Sequence, residues 1–137
     1  MKRFIIILSI LTITIPTVAK EQKWEPIMLG KNAQIYIDTT SIQKESNYSE
    51  NVYSYWTKMY DNQLGTIRNP KTDLFFDFIK TKWLINCTTK ESVVIETNTY
   101  YKDSNIIDKV ITNYQYNKWN PTDQNSFHYV CTNQKGY

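Results

Sequence analysis

The chain has 137 residues, with 16 Lys and Arg against 13 Asp and Glu, one histidine and two cysteines. Lys2 and Arg3 fall in an N-terminal segment with the marks of a removable signal, so residues 20–137 carry 14 basic and 13 acidic groups, a net charge of +1. Arg68 is the only arginine beyond that segment, so neither a concentrated basic face nor bidentate phosphate recognition can be staged, and nucleic acid is excluded as an expected partner.

The signal is legible in three parts. Lys2 and Arg3 precede an uncharged, largely apolar run from Phe4 to Ile15, and Thr17-Val18-Ala19 offers small residues for cleavage. As a helix this run reaches about 18 Å, short of the roughly 30 Å of a hydrocarbon core. Residues 1–19 are therefore predicted to be a cleaved export signal, with no transmembrane segment left behind. No cysteine follows the cleavage point, so an acylated N-terminus is not expected. Residues 20–137 contain no repeat, low-complexity run or Gly/Ser linker, and one domain is predicted.

Period-two alternation and richness in Ile, Val, Thr, Tyr, Phe and Trp then predict strands at 24–28, 33–38, 52–60, 75–87, 92–102 and 106–116. Turn-forming joints such as Gly30-Lys31-Asn32 and Asp103-Ser104-Asn105 are too short for parallel crossovers, so the strands should pair antiparallel. Alternation along the fourth strand sorts Ile79, Thr81, Trp83, Ile85 and Cys87 onto one face. Phe76, Phe78, Lys80, Lys82 and Leu84 fall on the other. The first set has the composition of the buried side.

After the sheet, Asn120 can cap a helix, Pro121 suits its first position and Asp123 lies near the positive end of its dipole. Phe127, Val130 and Cys131 then share one side of that helix. In an exported chain an even pair of cysteines reads first as a bridge, and a zinc site built on Cys87, Cys131 and His128 would lack ligands. A Cys87–Cys131 disulfide would close a loop worth about 4 kcal/mol. The fold class is thus α+β: a single antiparallel sheet of about six strands with a C-terminal helix tethered to one face by a disulfide.

Several segments carry a family resemblance: Trp24 ahead of the first strand, QIYIDTTSI (Gln34 to Ile42), YWTKMY (Tyr55 to Tyr60), the long strand ending at Cys87, the strand containing Tyr100, and WNPTDQNSFHYVC (Trp119 to Cys131). The chain resembles the surface-adhesin protein E family of Gram-negative envelopes over nearly all of residues 20–137. Trp119, Pro121 and Cys131 carry the match, with Asp38, Ser41 and Ile42 in support. Thr122-Asp123 stands where Gly-Ser often follows the proline. The resemblance implies an antiparallel sheet with a disulfide-tethered helix, and binding of host extracellular-matrix or other proteins from the bacterial surface; the expected location is exported, in the periplasm or on the outer surface of a Gram-negative cell.

Within the sequence, the candidate protein-binding surface is the outward face of the fourth strand, Phe76, Phe78, Lys80 and Lys82, joined by Tyr100. Rings supply apolar area and ammonium groups supply steering. The plainer account places Phe76 and Phe78 under a loop or a second copy, with the lysines merely solvating a strand. An unpaired edge strand would allow a homodimer by β-augmentation. No catalytic set, cofactor or metal is expected: His128 is alone, and neither a phosphate loop nor a cluster of ligands accompanies it. The alternative to an adhesin is a periplasmic structural or inhibitor-like domain with no host ligand.

Overall fold

The computed structural model describes residues 20–48, 51–113 and 118–133. The predicted signal, 1–19, lies outside them, as do residues 114–117, onto which the sixth predicted strand ran. Six strands lie side by side in chain order: β1 (Trp24–Leu29), β2 (Ala33–Lys44), β3 (Val52–Asp61), β4 (Phe76–Asn86), β5 (Glu91–Tyr101) and β6 (Ile107–Ile111). Every neighbouring pair is antiparallel. A two-residue strand, β7 (Asn120–Pro121), pairs with the start of β5 on the edge that β6 occupies further along.

The joints show why the order follows the chain. The Gly30 N–H donates to the Ala33 carbonyl at 2.9 Å, and a Cβ on Gly30 would stand 3.0 Å from that oxygen. Asn51, Asp73, Lys90 and Asp103 adopt positive φ in the later turns, three of them residue types that tolerate the left-handed region. At the β4–β5 turn the Asn86 side chain accepts from the N–H groups of Thr88 and Thr89, holding the reversal that Lys90 completes.

The tethered helix is present, but it begins later than predicted. Asp123 is its N-cap: its Oδ1 accepts from the Ser126 N–H at 2.8 Å, and α1 runs Gln124–Phe127 before widening into a π-helical stretch at His128–Thr132. Asn120 and Pro121 instead extend along β5 opposite Ser92 and Glu91, and the Asn120 amide turns back to the Lys118 carbonyl. Pro121 has no N–H to offer a ladder, which suits a sheet margin as well as it suits a first helical turn. Thr122 still donates its N–H to the Lys90 carbonyl at that edge, and Asp123, the next residue, takes the cap.

One face of the sheet is sealed by this helix. Ile37, Tyr55 and Ile85 from three adjacent strands meet Val130 and Cys131, all nearly inaccessible to water. Each fully buried aliphatic side chain contributes about 1.5–3 kcal/mol. Cys87 and Cys131 are bonded, with Cα atoms 5.6 Å apart, across the end of β4. The expected grouping of Phe127, Val130 and Cys131 holds, with Phe127 packed at the cluster margin.

The opposite face is divided along the strands. At the β4–β5 turn end, Val52, Leu84 and Val93 form a second buried cluster with Tyr48, Ile95 and Trp119 packed against it. Leu84 is therefore core, fully buried although it alternates with the outward set. Beyond it the face lies open, and its residues are polar, charged and aromatic. At the sheet edge all five residues of β6 are exposed, Val110 and Ile111 by 60% and 73%.

Candidate protein-binding face

On β3 the same alternation that buries Tyr55 and Thr57 sends Trp56, Lys58 and Tyr60 to the open side. Antiparallel register then sets Lys58 directly opposite Lys80 and Trp56 opposite Lys82. Phe78 faces Tyr100 across the next strand pair, the two rings stacked with centroids 4.4 Å apart. Tyr60 approaches Phe78 at 5.6 Å, and Tyr36 on β2 meets Tyr60 edge-on at 6.1 Å. Tyr36, Tyr60, Phe78 and Tyr100 thus form a row of rings crossing four strands.

Beside this row stands a pair of ammonium groups. The Lys58 Nζ lies 5.1, 5.2 and 4.8 Å from the ring centroids of Trp24, Tyr60 and Phe78. The Lys80 Nζ lies 5.5 Å from those of Trp24 and Tyr100. All five distances are within cation–π range. Burial lowers the Lys80 pKa from its ordinary value, and the facing Lys58 charge lowers it further, against a smaller opposing pull from Asp38. Trp24, Trp56, Lys80 and Tyr100, with Gln22 and Asn98, line a hollow of about 260 Å³.

Asp38 is committed elsewhere. Its Oδ1 accepts from the Thr40 N–H at 3.0 Å, the Thr40 hydroxyl at 2.6 Å and the Lys23 N–H at 3.3 Å. The Ser41 hydroxyl donates to the Asp38 carbonyl and accepts from the Trp56 N–H. These bonds fill the irregularity between Asp38 and Gln43 where β2 slips against β3, a physical role for two residues of the sequence resemblance. Below, Lys82 sits opposite Glu96, whose carboxylate is bonded to Lys109 at 3.1 Å. Burial pushes the Glu96 pKa up, but hydrogen bonds from Lys109 and Asn98 and the charges of Lys109 and Lys82 outweigh it, leaving the pKa lowered.

The structure brings Phe78, Lys80, Lys82 and Tyr100 onto one face and removes Phe76 from it. Phe76 pairs with Tyr101, whereas Phe78 pairs with Tyr100, so Asp77 is an extra residue in β4. Tyr100 and Tyr101 are consecutive on β5 and point to opposite faces, which carries Phe76 to the far side, its ring 5.2 Å from Tyr101. Strict alternation cannot foresee an inserted residue. Lys82 is set apart too, opening onto a different hollow with Tyr48, Ile95 and Ile111. Trp24, Tyr36, Lys58 and Tyr60 were missed because they lie on other strands. The alternation within Tyr55 to Tyr60, taken with an antiparallel partner, was the signal that would have found Lys58.

On the helix side, a cleft of about 380 Å³ opens between the start of α1 and the sheet, lined by Ile35, Met59, Trp83 and Asp123 among others. Burial pushes the Tyr55 phenol well above its ordinary pKa, with the Asp123 charge adding to the rise and a hydrogen bond with Ser126 opposing it. The Trp83 indole donates to the Thr57 hydroxyl at 2.9 Å. His128 is exposed and faces Thr132, while Ser126 is engaged with Tyr55, so the two do not converge.

A family profile described as Surface-adhesin protein E matches residues 24–133, most of the chain. The chain belongs to the surface-adhesin protein E family. No curated protein and no solved structure matches it. Membership supports an adhesin-like, non-enzymatic role with protein partners and a surface or exported location. Among the described residues no helix is long and apolar enough to cross a membrane. Both halves of the match have visible structural work: Asp38 and Ser41 organise β2, and Trp119 to Cys131 carries the chain from one face of the sheet, past its edge, to the other.

Proposed function

We propose that this surface-adhesin protein E member is exported by residues 1–19 and binds host extracellular-matrix protein from the outer surface of a Gram-negative cell, through the open face of its sheet. The observation that carries the reading is the row Tyr36, Tyr60, Phe78 and Tyr100 beside Lys58 and Lys80. Aromatic rings give apolar contact area with few rotatable bonds, and unneutralised ammonium groups steer association. The rings lie on a rigid sheet whose other side is stapled, so little ordering accompanies binding. A homodimer, if formed, is assigned to the exposed edge β6, and Val110→Lys should abolish it in sedimentation.

The test is solid-phase binding of oxidised residues 20–137 to immobilised matrix proteins. The Phe78→Ser/Tyr100→Ser variant should lose binding while Val110→Ser keeps it; equal binding by all three proteins would refute the face. Lys80→Glu/Lys82→Glu should weaken binding as well. Location is tested by protease accessibility on intact cells. Release with the periplasmic contents would instead favour a periplasmic structural or inhibitor-like domain.

A further inference from the structure

Lys58 and Lys80 break a rule of sheet construction. Like charges directly opposite one another across antiparallel strands are destabilising. Among the described residues no carboxylate lies within salt-bridge distance of either ammonium. The acids facing them are engaged: Asp38 is buried and holds the Thr40 and Lys23 backbone, and Glu96 is bonded to Lys109. Both ammonium groups converge on the single ring of Trp24, at 5.1 and 5.5 Å from its centroid. An anion set beside that ring would meet two partly desolvated donors at once.

We propose that the Lys58–Lys80 pair, framed by Trp24 and Tyr100, is a subsite for one carboxylate of a protein partner, an Asp or Glu side chain flanked by apolar residues. The inference rests on the reading of this face as the binding surface and names what it recognises. The surroundings fix the ligand class. Phe78, Tyr60 and Tyr100 on one side demand apolar neighbours. On the other side Lys82 lies opposite Glu96, whose carboxylate Lys109 also holds, so beyond the facing pair the charges alternate in sign. A polysulfated chain needs a longer run of cations and would meet the Glu96 carboxylate. A lone carboxylate fits between them: burial is the main reason Lys80 holds its proton less tightly, and a facing anion would offset both that cost and the smaller repulsion from Lys58.

The test uses the oxidised domain and two capped peptides, one with a single glutamate between valine and leucine residues and one with glutamine in its place, titrated while the Trp24 and Trp56 indole N–H resonances are followed. The glutamate peptide should shift the Trp24 resonance and bind about tenfold more tightly than the glutamine peptide. Lys58→Gln/Lys80→Gln should erase that preference, and Lys58→Arg/Lys80→Arg should keep most of it. Removing a like-charge pair does not threaten folding, which a thermal midpoint no lower than wild type would verify. Equal affinity for the two peptides, a preference that survives in the Gln variant, or tighter binding of heparin than of the glutamate peptide would each overturn the proposal. If matrix binding remains sensitive to Phe78→Ser/Tyr100→Ser under any of those results, the face reading stands and only the carboxylate subsite falls.

Discussion

Replacing both Cys87 and Cys131 by alanine tests the architecture most directly. The bridge spans a sequence separation of 44, and the chain-entropy relation gives such a loop about 4 kcal/mol at 25 °C. Alanine is the right replacement, because serine at the 4%-exposed Cys131 site would add the separate cost of burying a hydroxyl. A domain of this size has a total stability of about 5–15 kcal/mol, so the variant should still fold but with a small margin. At an unfolding entropy of about 2.1 cal/mol/K per residue, 4 kcal/mol corresponds to a fall in Tm of roughly 15–20 °C. The loss should also be local first. Gln124–Thr132 is too short to persist as a helix in water, so its release would bare Ile37, Tyr55 and Ile85. Scanning calorimetry gives the Tm, and amide exchange at Val130 reports docking. A fall of less than about 5 °C with Val130 still protected would show that packing alone holds the helix, and the argument from the tether would fail.

Three other outcomes are expected. Asp123→Ala should cost about 1 kcal/mol in urea unfolding through loss of the Ser126 cap, whereas Asn120→Ala should cost only a few tenths; equal effects would return the cap to Asn120. Leu84→Ala should cost about 3 kcal/mol by emptying the second buried cluster, against under about 0.5 kcal/mol for Val110→Ala at the exposed edge, both measured as urea midpoints at constant m-value. Because burial raises the Tyr55 pKa, the folded state binds that proton more tightly than the unfolded chain, so its stabilisation is complete below the ordinary value of 10.0 and lost as pH rises beyond it. Tyr55→Phe should therefore flatten the fall in urea midpoint between about pH 9 and pH 11, leaving the part due to Tyr101, which burial and its hydrogen bond to Asp108 raise in the same direction.

The strands, their antiparallel pairing and the bridge were legible because each rests on a local signal. Turn residues mark the joints, period two marks the strands, and an even cysteine pair marks the staple. The face containing Ile85 and Cys87 was legible for the same reason: its side chains alternate without interruption from Ile79. What escaped was anything set by pairing. The extra residue at Asp77 flips Phe76, and no property of Phe76 itself announces it. Leu84 alternates with the lysines, yet Tyr48 and Trp119 close over it from segments far away in sequence. The helix start moved because Asn120 and Pro121 have two acceptable environments, a first helical turn and a sheet edge, and only the proximity of β5 decides between them. Lys58 was invisible as a site residue for a related reason, since one lysine on a strand is ordinary until another faces it.

That last point ties the fold to the proposed binding face. β4 serves both sides of the sheet: Ile85 and Cys87 anchor the helix, and two pleats away Lys80 and Phe78 look outward. Stability is concentrated on the stapled face and at the turn end, where Ile37, Ile85, Leu84 and Val130 are fully buried. The open end contributes ring contacts but also an unneutralised like-charge pair. A sequence under selection for stability alone would set threonine or an acid opposite Lys80, and either change would be accommodated by the pleat. This local conflict sits among the rings of Trp24, Tyr60, Phe78 and Tyr100, away from the staple, and that is the place the proposed carboxylate subsite needs it.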